Sequence, residues 1–228
     1  MNILAVADKE SKFYWDFYQP GKLDNVDLIL SCGDLRAEYL DFLTTFARCP
    51  VLYVHGNHDT RYTRRPPEGS ICIDDRIYVH NGVRILGLGG SMQYNGKPPF
   101  QYTNAQMRAR FRKLWLQIKR HHGFDILVTH APAMGLGDGD DMVHRGFEIF
   151  TQMLLRYHPR YHLYGHIHAE YGKDFMRRQT FMHTEVINCY EKYLFDYDTG
   201  EDIFAREYYP ENPSVFADTI PVLNNMAE

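Results

Sequence analysis

Polar clusters that could hold cations interrupt the apolar runs of this chain at five places. They are Asp8 with Glu10, Gly33-Asp34, Gly56-Asn57-His58-Asp59, Thr129-His130 and Gly165-His166-Ile167-His168. Carboxylates, an amide oxygen and imidazoles together suit divalent ions of borderline hardness. Two such ions about 3.5–4 Å apart make a site that hydrolyses phosphate esters by in-line displacement. Asp8, Asp34, Asn57, His130 and the His166/His168 pair each lie one to four positions beyond the last apolar residue of a short run. In α/β sheets, ligands bind outside the carboxyl ends of the strands, so groups scattered along the sequence can converge there.

The runs that precede them, residues 2–7, 27–31, 51–54, 124–129 and 161–164, have strand length and are apolar nearly throughout. That is the mark of strands buried on both faces. Helical segments are expected at 13–18, 36–47 and 147–157, and a long one from Thr103, where Thr103 and Gln106 form a capping-box pattern. Its apolar stripe is Met107, Phe111, Leu114, Trp115 and Ile118. Strands separated by helices point to βαβ units and a parallel sheet. Residues 71–73, 77–79 and 83–88 read as short strands, with a hairpin turn at Asn81-Gly82. Residues 64–70 and 131–146 read as loops, and 174–209 as β-hairpins. The tail 210–228 reads as a possible C-terminal arm. No repeat or linker divides the chain, so 1–228 is expected to be a single domain.

Composition narrows the function. Of 228 residues, 44% are hydrophobic and 24% charged, which is ordinary globular usage. The net charge of −4 disfavours a protein living on electrostatic nucleic-acid binding. The basic run from Arg108 to Arg120 therefore reads as a solvated helix face. No apolar run approaches the roughly 18 residues a membrane span needs, and the first ten residues do not read as a signal peptide. A cytoplasmic location is expected. The four cysteines form no C-x-x-C pair and are expected to be reduced. No G-x-S-x-G is present, no cysteine has an arginine six positions on, and Gly87-Leu88-Gly89-Gly90 lacks dinucleotide-loop spacing. His55, His80, His121, His122, His158, His162 and His183 have no partner cluster and read as core or surface residues. His144 sits in the 131–146 loop, where a substrate lid could form.

Taken in order, the five clusters resemble the signature blocks of calcineurin-like metallophosphoesterases. The resemblance spans Asp8 to His168 and implies an α/β fold, two packed mixed β-sheets flanked by helices. It implies that Asp34 bridges two divalent metals, with Asp8 and His168 completing the first site together with the residue at position 10. Asn57, His130 and His166 would hold the second, a hydroxide between the ions would be the nucleophile, and His58 would stand beside the phosphoryl group. Two departures refine this. The first block has Glu10 where the family usually has histidine; ligation by that carboxylate would favour Mn²⁺ or Mg²⁺ over Fe or Zn. Ala37 replaces the acidic residue that Ser/Thr protein phosphatases carry three places after the bridging Asp, which points to a small bacterial-type phosphodiesterase or phosphatase. A small phosphorylated substrate, a monoester or a diester, is the expected partner. The rivals are a non-catalytic, metal-stabilised protein-interaction scaffold and, more weakly, a nuclease.

Overall fold

In the computed structural model, which describes residues 1–96, 99–171 and 175–198, the first apolar runs become β1 (Asn2–Val6), β2 (Leu28–Ser31) and β3 (Val51–Tyr53). These are parallel neighbours. Next to β3 lies β4 (Ile71–Cys72), also parallel, and β13 (Tyr193–Asp196) pairs antiparallel with β1, giving the order β13-β1-β2-β3-β4. A second sheet is built from β5 (Arg76–His80), β6 (Val83–Leu88), β9 (Ile126–Thr129), β10 (Tyr161–Tyr164), β11 (Arg178–Phe181) and β12 (Thr184–Asn188). Its order is β11-β12-β10-β9-β6-β5, parallel at the centre with an antiparallel strand at each edge. A small parallel pair, β7 (Ser91–Met92) with β8 (Gln101–Tyr102), lies outside both.

Alternation along the strands sorts the core into three layers. Ile3, Ala5, Leu28, Leu30 and Leu52 meet Ile85, Ile126, Val128, Leu163 and Ile187 between the sheets. Leu4, Val6, Ile29 and Val51 turn the other way, onto Leu40 and Leu43 of α1 (Ala37–Phe46). On the far side, Leu86, Leu88, Leu127 and Val186 pack under α2 (Asn104–Lys113), α3 (Trp115–His121) and α4 (Glu148–Tyr157). Burying each of these Leu, Ile and Val side chains contributes about 1.5–3 kcal/mol. The result is the expected α/β architecture, two packed mixed sheets with helices outside.

Three local expectations are corrected. Residues 13–18 form successive turns, with the Tyr14 and Trp15 amides both bonding Ser11 O at 3.0 and 2.9 Å. Aromatic residues are weak helix formers. Here Trp15 instead stacks on Tyr39, with ring centroids 4.9 Å apart. The helix at Thr103 keeps its capping box but divides at Leu114, whose amide bonds back to Phe111 O at 2.9 Å. That tighter turn puts Leu114 and Ile118 in the core with Met107 and Phe111, while Trp115 stays half-exposed. Of the expected terminal hairpins, β11–β12 forms, but β13 crosses to the first sheet. The arm expected at 210–228 lies outside the described residues. No helix among the described residues is long and apolar enough to cross a membrane.

Candidate metal centre

The parallel strands of the two sheets release their chain at one rim. Asp8, Asp34, Asn57, His130 and His166 follow β1, β2, β3, β9 and β10 there. Asp8, Asp34 and His166 leave their strands in left-handed backbone, with φ of 65°, 58° and 68°. Non-glycine residues rarely adopt that region, and such positions collect at functional sites. Two glycines let the loops meet. A Cβ on Gly33 would lie 2.3 Å from Gly56 N, and one on Gly56 would lie 2.0 Å from Asp34 Oδ1. Backbone therefore touches backbone, and Asp34 comes beside Asn57.

His130 is fully buried, and its Nδ1 donates to Cys32 O at 2.8 Å. Its Nε2 faces two acceptors, Asn57 Oδ1 at 3.0 Å and Asp34 Oδ2 at 3.2 Å. The Asn57 amide is oriented by its Nδ2, which points at the Tyr94 hydroxyl, 3.4 Å away. Two oxygen lone pairs and one nitrogen lone pair thus converge, an arrangement that demands a positive charge among them. A proton on Nε2 meets that demand in part. Burial is the largest influence on His130 and opposes its charge, but Asp34, Asp8 and the Cys32 carbonyl together overcome it and the ring is raised to about 9. For Asp34, burial likewise works upward, and the charge and hydrogen bond of His130 hold it down to about 2.

His166 completes the group. One ligand atom each from Asp34, His130 and His166 lies within 4.8 Å of the others. The His166 Nε2 donates to Val143 O at 2.8 Å, which leaves Nδ1 as the lone-pair donor. Burial, helped by the neighbouring His130, lowers the ring to about 3, so it is neutral and fit to ligate. Asp8, whose side chain is wholly buried, accepts the His166 amide with both oxygens, at 3.0 and 2.9 Å. His168 Nε2 stands 3.7 Å from Asp8 Oδ1. Imidazole nitrogens, carboxylates and an amide oxygen form a donor set that fits divalent ions such as Mn²⁺ or Zn²⁺.

Of the expected ligands, the structure therefore gathers Asp34, Asn57, His130 and His166 into one cluster, with Asp8 and His168 adjoining through the His166 backbone. Glu10 is placed otherwise: its Oε1 is held by Arg36, at 2.8 Å from Nε and 3.2 Å from the amide. His58 is exposed beside the rim, and its amide donates to Asp34 Oδ1 at 2.7 Å. Asp59 is buried and accepts the amides of Gly56 at 2.7 Å and Asp34 at 2.9 Å, clamping the two loops together. Burial and the Asp34 charge push Asp59 up to about 7.

The loop over the rim reaches the site through Val143 O, and the His144 ring lies 5.6 Å from that of His166. Sequence reasoning missed Cys32 O, Val143 O and Tyr94. Backbone carbonyls carry no signature in residue type, and Tyr94 lies in a segment without periodicity. His55 is neither plain core nor plain surface, for its Nδ1 pairs with Asp74 Oδ2 at 2.6 Å.

Comparisons with known proteins bear on the fold and the family. The crystal structure of TT1561 of Thermus thermophilus superposes with a TM-score of 0.58 at 16% identity, covering 83% of this chain and 89% of that one, and so shares the fold. A probable rhamnogalacturonate lyase C of Emericella nidulans is 28% identical over 178 residues, 67% of this chain and 16% of that protein. UPF0046 protein C25E10.12 of Caenorhabditis elegans is 25% identical over 133 residues, 54% of this chain and 45% of its own. The chain thus spans less than two thirds of the length of either relative. The family model described as calcineurin-like phosphoesterase matches residues 10–170, from Glu10 past His168. A match over so much of the sequence, reaching every cluster of the rim but Asp8, means that this chain belongs to the calcineurin-like phosphoesterase family.

Proposed function

We propose that this protein hydrolyses a phosphate ester of a small molecule with the help of two divalent cations; with Glu10 held by Arg36, the preference for Mn²⁺ or Mg²⁺ that its ligation would have given falls away. The observation that carries the reading is the convergence of Asn57 Oδ1, Asp34 Oδ2 and His130 Nε2 on one buried point that calls for positive charge. Asp34 would serve both cations. Asp8 and His168 would hold one, and Asn57, His130 and His166 the other. Bound there, the ions supply the field that makes water nucleophilic near neutral pH and offsets charge on the phosphoryl oxygens. The chain's own residues do the rest. Asp59 fixes the two loops, Cys32 O and Val143 O set the ring orientations and tautomers, and His58, exposed at the rim, donates a hydrogen bond or a proton to the departing oxygen.

One observation favours the scaffold alternative: Glu10 is engaged by Arg36, which leaves Asp8 and His168 with less support at the first cation. The same experiment separates the two. Metal content is measured after loading with Mn²⁺, Mg²⁺, Zn²⁺ or Fe²⁺, and turnover is followed on mono- and bis-aryl phosphates. The expected result is metal-dependent hydrolysis that Asp34→Asn abolishes together with metal binding. Metal-loaded protein inert toward every ester, or full turnover in Asp34→Asn, would overturn the reading.

A further inference from the structure

Adjoining the metal centre is an open cleft of about 580 Å³, within the size range of small-molecule pockets. Asp34 and His58 line the end next to the centre, and Arg36, Arg61, Arg64 and Arg65 line it as well. The last three arise from one local device. After His58 the chain forms a 3₁₀ turn over Asp59–Thr63, and the amides of Arg64 and Arg65 both bond Arg61 O at 3.0 Å. On a turn of three residues, side chains three positions apart share a face, as Arg61 and Arg64 do. The backbone that delivers His58 to the centre thus also brings three arginines to the cleft wall.

Two of the four cations are answered locally. Arg36 pairs with Glu10 at 2.8 Å, and Arg65 reaches Glu38 at 4.0 Å. Arg61 and Arg64 are exposed, and neither has an ion-pair partner within 4.0 Å among the described residues. Like charges on one cleft wall repel unless an anion joins them. We propose that Arg61 and Arg64 form a subsite for a second anionic group of the substrate, so that the preferred ester is a small molecule carrying another phosphate besides the one cleaved. This rests on the phosphoesterase reading and adds to it the class of substrate. Planar guanidiniums bind phosphate in bidentate fashion, and a second phosphate held there would orient the ester bond against the centre.

The subsite is tested first without metal. In chelated and dialysed protein no cation is left to hold phosphate, so binding that depends on Arg61 and Arg64 reports on the arginines themselves. Calorimetry with inorganic phosphate is expected to show binding by wild type that weakens about tenfold or more in Arg61→Ala/Arg64→Ala, with partial recovery in the double Lys variant. Equal binding by wild type and the Ala variant, or no binding by either, overturns the subsite. With metal restored, kcat/KM for glucose 1,6-bisphosphate is expected to fall by a similar factor in the Ala variant, mainly through KM, while glucose 1-phosphate changes less than about twofold. Hydrolysis with no such discrimination sinks the subsite and leaves the phosphoesterase reading standing. Arginine-dependent phosphate binding with no hydrolysis of any ester would do the reverse.

Discussion

At the scale of single residues, the centre is organised by what each side chain is prevented from doing. His130 cannot turn, because Cys32 O holds its Nδ1, so its Nε2 is committed to Asp34 and Asn57. His166 is committed in the opposite sense, with Nε2 spent on Val143 O and Nδ1 left over. His58 differs, since its link to Asp34 runs through the backbone amide and leaves the ring unneeded for assembly. His58→Ala keeps that amide. The variant is expected to retain its metal content while kcat falls about 100-fold or more, the usual contribution of a general acid. Steady-state kinetics beside metal analysis checks it, and undiminished kcat would remove the ring from the chemistry. Asp8, Asp34, Asn57, His130, His166 and His168 were legible because each follows an apolar run, three of them directly after a glycine. Glu10 was legible as a carboxylate, but not its engagement by Arg36, which depends on a side chain from the next loop.

Among elements, the strands were easier to read than the helices. Burial on both faces turns a strand into an unbroken apolar run, as in the LILS of β2. The Phe13–Tyr18 region deceived because its aromatic residues serve as packing for Tyr39 and Phe42 of α1 and do not form a helical stripe. The break at Leu114 leaves no trace in residue type, since no Pro or Gly marks it. What positions the centre is the contact between the loops after β2 and β3, and its weak point is Gly56. Gly56→Ala would drive a methyl into the Asp34 carboxylate, 2.0 Å away. A shift of both loops should cost about 1–3 kcal/mol of stability and lower metal affinity at the same time. Thermal unfolding with and without Mn²⁺ reads both effects; a variant with wild-type Tm and an undiminished metal-induced rise in Tm would show that the loops yield freely.

For the whole molecule, acid stability offers a test remote from the centre. His162 lies in the second sheet with no exposure, its Nε2 2.9 Å from the Thr129 hydroxyl and its buried Nδ1 without a hydrogen-bond partner. Burial lowers the ring from the ordinary 6.5 to about 3. The unfolded chain therefore binds a proton that the folded chain refuses between those values. This contribution to stability is complete above pH 6.5 and is lost as pH falls toward 3, at a slope of up to about 1.4 kcal/mol per pH unit. His162→Gln keeps a donor for Thr129 and removes the titration. Urea unfolding from pH 7 to pH 4 should show a flatter decline in the variant, and parallel curves would refute the assignment. At this scale the α/β class was legible from alternating strands and helices, whereas the course of β13 was not, because pairing across the whole chain leaves no local pattern. That course bears on synthesis. β1 is made before the other described strands, yet one of its two neighbours, β13, ends at Asp196. On the ribosome, a nascent chain must carry β1 with an open hydrogen-bonding edge until nearly all the described residues have emerged. Such long-range closure slows folding and invites mispairing, so chaperone assistance during translation should matter more to the yield of this protein than the stability of the finished molecule would suggest.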